Sequence, residues 1–229
     1  MIVTKKDGTR FCLDYRGVNL LTRKDAYPLP ITDTSLDALG GNKYFCTVDL
    51  TSGYWQCKMA EDSKEKTAFS CHKGLFQLKV LPFGLCYAPA TYERLIELVL
   101  KGYQWERCLC YIDVVIIFGE NFDKTLEMIK LVFDRFRGAN LKLKPSKCHL
   151  FQTEVLFLGH VVSNVGISCD PSKIDSVRDW PIPSCVSEVR SFLGLAGYYR
   201  KFIPNFSEIA SPLTQLTKKS KKFEWSEKC

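Results

Sequence analysis

An eleven-residue apolar stretch interrupted by one carboxylate, Cys108–Phe118, constrains this chain most. Cys108–Cys110 and Val115–Phe118 have the length of short strands, and Tyr111-Ile112-Asp113-Val114 between them leaves room only for a tight turn. The segment therefore reads as a buried hairpin with an aspartate at its tip. A second aspartate, Asp49, ends another largely apolar run, Tyr44–Val48. Two strand-end carboxylates far apart in sequence form a candidate divalent-metal site. Turn and capping aspartates are common, so Asp49 and Asp113 alone also fit a purely structural use. Val114 stands where such a site would gain from a further charge.

The flanking pattern supplies the rest of a fold. Arg10–Asp14 and Tyr44–Leu50 read as strands, and Trp55–Met59 and Phe76–Val80 alternate apolar and polar as half-buried strands do. Ile31–Leu39 reads as a short helix stopped by Gly40-Gly41, with Leu36 and Leu39 inside. Pro89 opens a helix with Tyr92, Leu95, Ile96, Val99 and Leu100 at helical spacing, closed by Gly102. Leu126, Ile129, Val132, Phe133 and Phe136 stripe a second helix over residues 122–137. Val155–Val162 reads as one strand, ending at the turn Ser163–Gly166. Beyond it the pattern becomes helical: Asp170-Pro171 starts one helix, and Ser184–Gly197 and Ser207–Leu216 are two more. The order strand, helix, strand–turn–strand, helix, strand predicts an α+β sheet with helices on one face, and a boundary near residues 166–170.

Composition narrows the class. With 229 residues, 46% hydrophobic and 25% charged, the chain can bury a proper core and is not disordered. The net charge of +7 suits a polyanionic partner, and equally suits solubility alone. Eleven cysteines without a Cys-x-x-Cys pair argue for reduced thiols and against a zinc clip. No segment has the length of a membrane span or the form of a signal peptide, so an intracellular protein, cytoplasmic or nuclear, is expected.

A series of short blocks then carries a resemblance. They are Lys5-Lys6-Asp7-Gly8 with Arg10–Arg16, Tyr27-Pro28-Leu29-Pro30, Tyr44–Leu50 with Ser52-Gly53-Tyr54, and Lys66-Thr67-Ala68-Phe69. Leu81-Pro82-Phe83-Gly84-Leu85 with Ala88–Thr91, Tyr111-Ile112-Asp113, Phe157-Leu158-Gly159-His160 and Ser191–Arg200 follow. Each block is weak alone, but together and in this order they are specific. The chain resembles the reverse transcriptase of Gypsy-type LTR retrotransposons (metaviruses). The resemblance implies a right-hand polymerase fold, with fingers and palm over residues 1–168 and the thumb and start of the connection over 169–229. It implies an RNA-directed DNA polymerase that takes an RNA template, a DNA primer and deoxynucleoside triphosphates, with two Mg2+ ions. Asp49 and Asp113 match the metal-binding, catalytic aspartates. Tyr54 matches the residue under the incoming nucleotide's sugar. Lys5 and Arg10 match positions that meet the triphosphate, and Lys6 one that meets the template. Leu158, Gly159 and His160 match the hairpin that grips the primer end.

Departures from the family pattern matter for activity. The family's turn reads Tyr-x-Asp-Asp, and here the last Asp is Val114. The fingers segment is one residue short between Thr9 and Arg10, the fingers upstream of Met1 are expected to be truncated, and the chain is expected to end before RNase H. The resemblance therefore implies polymerase descent with impaired catalysis. The alternatives are a nucleic-acid-binding relic without turnover and a scaffold protein.

Overall fold

The computed structural model describes residues 2–5, 8–28, 30–218, 223–227 and 229. The chain divides into two compact units, Met1–Val155 and Leu156–Cys229. The boundary expected near residues 166–170 falls inside the second unit.

The first unit opens with an antiparallel ribbon of β1 (Ile2–Lys5) and β2 (Gly8–Phe11), in register from Ile2↔Phe11 to Lys5↔Gly8. The strand expected to reach Asp14 stops at Phe11. Two short helices follow, α1 (Arg16–Leu21) and α2 (Thr32–Asp37), the second burying Leu36 as the spacing predicts. The chain then enters β3 (Tyr44–Asp49), a 3-10 turn at Gly53–Gln56, α3 (Glu61–Lys64) and the hairpin of β4 (Phe69–Cys71) and β5 (Gly74–Phe76). The first long helix, α4 (Ala88–Val99), carries Pro89 in its first turn, where a missing N–H costs no helical hydrogen bond. The apolar hairpin is β6 (Cys108–Tyr111) and β7 (Val114–Gly119). After it comes α5 (Phe122–Gly138), whose N-cap Asn121 accepts from the Lys124 N–H at 2.9 Å. A 3-10 turn at Pro145–Lys147 leads into β8 (His149–Gln152).

Four of these strands form one antiparallel sheet, ordered β6-β7-β3-β8. Cys46 pairs with Ile117, Val48 with Val115, Cys108 with Ile117 and Cys110 with Val115, so these side chains share a face. That face packs with Tyr92 and Ile96 of α4 and with Met128, Ile129, Val132 and Phe136 of α5 in a single core. Phe45, Leu109, Ile116 and Phe118, on the opposite face, are buried too. Burial on both faces explains why the hairpin reads as a continuous apolar run rather than an alternating one.

The second unit holds a three-stranded sheet ordered β11-β10-β9, with β9 (Glu154–Phe157) straddling the division, β10 (His160–Ser163) and β11 (Gly166–Cys169). Then come α6 (Pro171–Arg178), α7 (Val186–Tyr198), α8 (Phe206–Ile209) and α9 (Ser211–Leu216). Asp170 caps α6, accepting from the Ser172 N–H at 2.9 Å. Val189, Leu213 and Leu216 form a small core, with Phe192, Leu193 and Trp225 packed on it.

Several expectations need correction. Trp55–Met59 is not a strand. Gln56 takes up the backbone groups a strand partner would use: its side chain donates to Thr51 O and Lys142 O and accepts from the Lys142 N–H at 2.7 Å. Only an isolated bridge, Lys58↔Val80, survives from the two alternating segments, and β5 ends at Phe76. Val155–Val162 is two strands broken by a turn at Leu158 (φ +49) and Gly159 (φ +73). The change to helix after Gly166 waits for β11 to pair with β10. Among the described residues no helix is long and apolar enough to cross a membrane.

Truncating a residue buried in the central ladder should be costly, and a fully exposed one should not. Ile117→Ala, at a 0% exposed position, is expected to lose about 2–5 kcal/mol in urea denaturation. Val165→Ala, at a 93% exposed position, should stay within about 0.5 kcal/mol.

Candidate active site

The pairing of β3 with β7 sets the site. Its last rung puts Asp49 directly opposite Val114. Asp113 and Ile112 form the two-residue turn before Val114, and the Leu50 N–H donates to the Asp113 carbonyl at 3.0 Å. The hairpin tip is thereby stitched to the end of β3, and both carboxylates lie at one end of the sheet. Asp49 is half-buried, with Oδ2 at 3.4 Å from Lys147 Nζ, while Asp113 is exposed. Burial pushes the Tyr92 hydroxyl well above its ordinary pKa, and the charges of Asp113 and Asp49 both add to that rise.

Tyr54 joins them. It stands on the 3-10 turn just beyond β3, half-buried, with its ring at 5.4 Å from Tyr92 and 5.2 Å from Phe83. Its hydroxyl is raised first by burial and then by Asp113 and Glu93. A glycine is required beside it. A Cβ on Gly53 would lie 2.7 Å from Cζ and Oη of Tyr92, too close for any side chain. The Tyr92 hydroxyl is buried and has no hydrogen-bond partner among the described residues.

The turn itself is strained. Ile112 has φ +56, a region that β-branched residues rarely occupy. Both of its backbone groups are tied: the N–H donates to Glu93 Oε2 at 2.8 Å, and the Cys110 thiol donates to its carbonyl at 3.4 Å. Glu93 is fully buried, and desolvation lifts its carboxyl to about 7, against the pull of the Ile112 N–H. Burial also keeps the Cys110 thiol protonated, as a donor must be.

A second group of expected residues lies in the second unit. Leu158 and Gly159 form the β9–β10 turn, and Tyr198 and Tyr199 donate their hydroxyls to the two turn carbonyls, each at 2.9 Å. His160 is buried, its ring 5.3–5.7 Å from those of Tyr198, Tyr199 and Phe202. Here too the glycine is needed, since a Cβ on Gly159 would meet Tyr199 Oη at 2.9 Å. Lys5 and Arg10 have their backbones in β1 and β2, and their side chains, like the whole of Lys6, lie outside the described residues.

Residues 3–162 match the family model for reverse transcriptase (RNA-dependent DNA polymerase). This chain belongs to the reverse transcriptase family. It is 44% identical over 215 residues to the retrovirus-related Pol polyprotein from transposon 297 of Drosophila melanogaster, covering 94% of this chain and 20% of that one. Against the polyprotein from transposon gypsy of the same organism the identity is 41% over 209 residues, covering 91% and 20%. The domain thus spans about a fifth of the length of these Gypsy-class relatives. Its fold matches part of the foamy viral protease-reverse transcriptase. The form solved with double-stranded DNA gives a TM-score of 0.91 at 29% identity, over 99% of this chain and 40% of that one. The form solved with an RNA/DNA hybrid gives 0.84 at 28%, over 99% and 31%. The right-hand polymerase fold implied by the sequence resemblance is therefore the fold of this reverse transcriptase domain.

Among the described residues no group of three or more His, Cys, Asp or Glu is gathered as a metal cluster. Asp49 and Asp113 are a two-carboxylate set. Such a set suits magnesium, which commonly takes one or two protein carboxylates and completes its shell with water and substrate phosphate. The sequence reading missed Glu93, Tyr92 as a site residue, and Lys147. Glu93 did leave a signal. It lies three residues before Ile96 and seven before Leu100, so it falls on the apolar stripe of α4.

The buried carboxyl of Glu93 makes stability depend on pH. Its folded pKa of about 7 exceeds the ordinary 4.5. Below the ordinary value both states are protonated; between the two values only the folded state keeps the proton. Stability should therefore fall as pH rises from 4.5 to 7, by up to about 3 kcal/mol, and then level off. In urea denaturation across that window Glu93→Gln should lack this part of the slope. Identical slopes in the two proteins would rule it out.

Proposed function

We propose that this domain is the polymerase segment of a Gypsy-type retrotransposon Pol, built for RNA-directed DNA synthesis and impaired in this copy by Val114. The observation that carries the reading is the last rung of the β3–β7 ladder, Asp49 opposite Val114, with Asp113 at the adjoining turn. In this reading residues 1–168 are fingers and palm, and 169–229 are thumb and the start of the connection. The partners are an RNA template, a DNA primer and deoxynucleoside triphosphates. The foamy viral relatives solved with an RNA/DNA hybrid and with double-stranded DNA support nucleic acid as a partner.

Asp49 and Asp113 would hold magnesium. The chemistry that bound magnesium supplies is a lowered pKa for the primer's attacking hydroxyl and stabilisation of the leaving oxygen. Lys147 Nζ lies 3.4 Å from Asp49 Oδ2 and pairs with it. Tyr54, packed on Tyr92 and Phe83, offers a rigid aromatic surface to the nucleotide's sugar. Lys5, Lys6 and Arg10 would meet triphosphate and template. The turn of Leu158 and Gly159, with His160 behind it, would carry the primer end, and the two tyrosine bonds to its carbonyls keep it stiff.

Register explains what Val114 removes. An aspartate at position 114 would stand directly across from Asp49. Like charges so placed destabilise a strand pair, unless a cation lies between them. Val114→Asp is therefore expected to lower stability by about 1 kcal/mol in EDTA and to regain it as magnesium is added. Primer extension on an RNA template should rise about 100- to 10,000-fold in the same variant. A revertant that is inert and unresponsive to magnesium would refute the metal-site reading. Val114 also favours a second reading, a nucleic-acid-binding relic without turnover. A steep loss of primer–template binding with salt, together with an inert revertant, would select it.

A further inference from the structure

We propose that Glu93 is a positioning residue for Asp113: from beneath the sheet it fixes the backbone of Ile112 and so sets where the Asp113 carboxylate stands. The inference rests on the metal-site reading of Asp113 given above.

A two-residue hairpin tip normally leaves its outer N–H to water. Here the Ile112 N–H is met at 2.8 Å by a carboxylate nineteen residues earlier, at a 0% exposed position on α4. Burying a carboxyl group is costly, and a plain turn has no need of one. The turn in question is strained: Ile112 at φ +56 pays roughly 1–2 kcal/mol for the left-handed region. The Cys110 thiol takes the carbonyl of the same residue at 3.4 Å, so both peptide groups around Ile112 are held by side chains. Asp113 is the next residue, and its Cα follows directly from that geometry.

The neighbour of Glu93 acts on the other half of the site. Tyr92 sits so close under Gly53 that no Cβ fits between them, and Gly53 belongs to the loop that joins Asp49 to Tyr54. One turn of α4 thus touches both carboxylate-bearing segments. Tyr92 limits the approach of the Asp49 loop, and Glu93 anchors the Asp113 turn. Their fixed spacing on the helix makes α4 the gauge between the two.

Two readouts test this on the whole chain: amide hydrogen exchange resolved by NMR, and Mn2+ binding followed by electron paramagnetic resonance. Glu93→Met keeps volume and removes the acceptor, while Glu93→Gln keeps a carbonyl acceptor. In Glu93→Met, exchange at Ile112 should rise at least about 10-fold relative to Val115 and Ile117, and Mn2+ affinity should fall about 10-fold. In Glu93→Gln both should stay within about 3-fold of the unmodified chain. A folded Glu93→Met with unchanged Ile112 exchange and Mn2+ affinity overturns the proposal, as does a Glu93→Gln as disturbed as Glu93→Met. If Glu93→Met does not fold, the unmodified chain decides. There Ile112 must exchange at least about 100-fold slower than an unprotected amide, and an unprotected rate overturns the proposal. Loss of Ile112 protection in Glu93→Met, in a protein whose unmodified form binds no Mn2+, supports the clamp and overturns the metal role of Asp113.

Discussion

The register of β3 against β7 is the constraint on which the rest of this domain depends. Six consecutive rungs, from Tyr44↔Gly119 to Asp49↔Val114, fix which side chains enter the helix-facing core and which position faces Asp49. A slip of one residue would turn Val48 and Val115 out of that core and carry Asp49 away from the hairpin tip. The ladder tolerates no such slip because its faces are filled on both sides: Cys46, Val48, Val115 and Ile117 on one, Phe45, Ile116 and Phe118 on the other. Hydrophobic burial of a few side chains thus does the work of placing two carboxylates that have no attraction for each other.

Placement has a polar cost, concentrated in α4. Glu93 is a buried acid, and Tyr92 beside it is a buried phenol whose hydroxyl has no partner among the described residues. Neither would be chosen to stabilise a helix against a sheet, where two aliphatic residues would serve better. Both instead touch the segments that bear Asp49 and Asp113. Stability given up on one helix turn coincides with the strained turn and the two carboxylates, a clustering that an ordinary hairpin does not need.

The sequence was most legible where burial alone decides structure. The apolar hairpin, the stripes of α4 and α5, and the Asp170-Pro171 helix start all fold as their spacing predicts. It was least legible where a side chain substitutes for backbone pairing. Trp55–Met59 alternates correctly, and Cys57 and Met59 are indeed buried. Yet Gln56 bonds to Thr51 and Lys142 and converts the segment's start to a 3-10 turn, which no periodicity reveals. Val155–Val162 failed for a related reason. Gly159 hinted at a break, but Leu158 adopts φ +49 beside it in a turn whose carbonyls Tyr198 and Tyr199 hold from forty residues away. The candidate site divides the same way: family resemblance reached Asp49, Asp113 and Tyr54, whereas Glu93 was hidden inside a stripe read as apolar.

Val114 can now be placed on a physical scale. Valine suits a strand better than aspartate does, and at the end of β7 it faces Asp49 without repulsion. Valine here therefore avoids a local conflict that an aspartate opposite Asp49 would create without a bound cation. Asp49 keeps an ion pair with Lys147, and Asp113 keeps its stitched and clamped turn. A scaffold selected for folding alone would drift in this direction, toward the residue that relieves the strand end. Folding alone gives no reason for a buried Glu93 or a strained Ile112. In the proposed reading, Glu93 holds the strained Ile112 turn from a buried position while Val114 stands opposite Asp49, so the one departure from the expected carboxylate set lies at the end of β7.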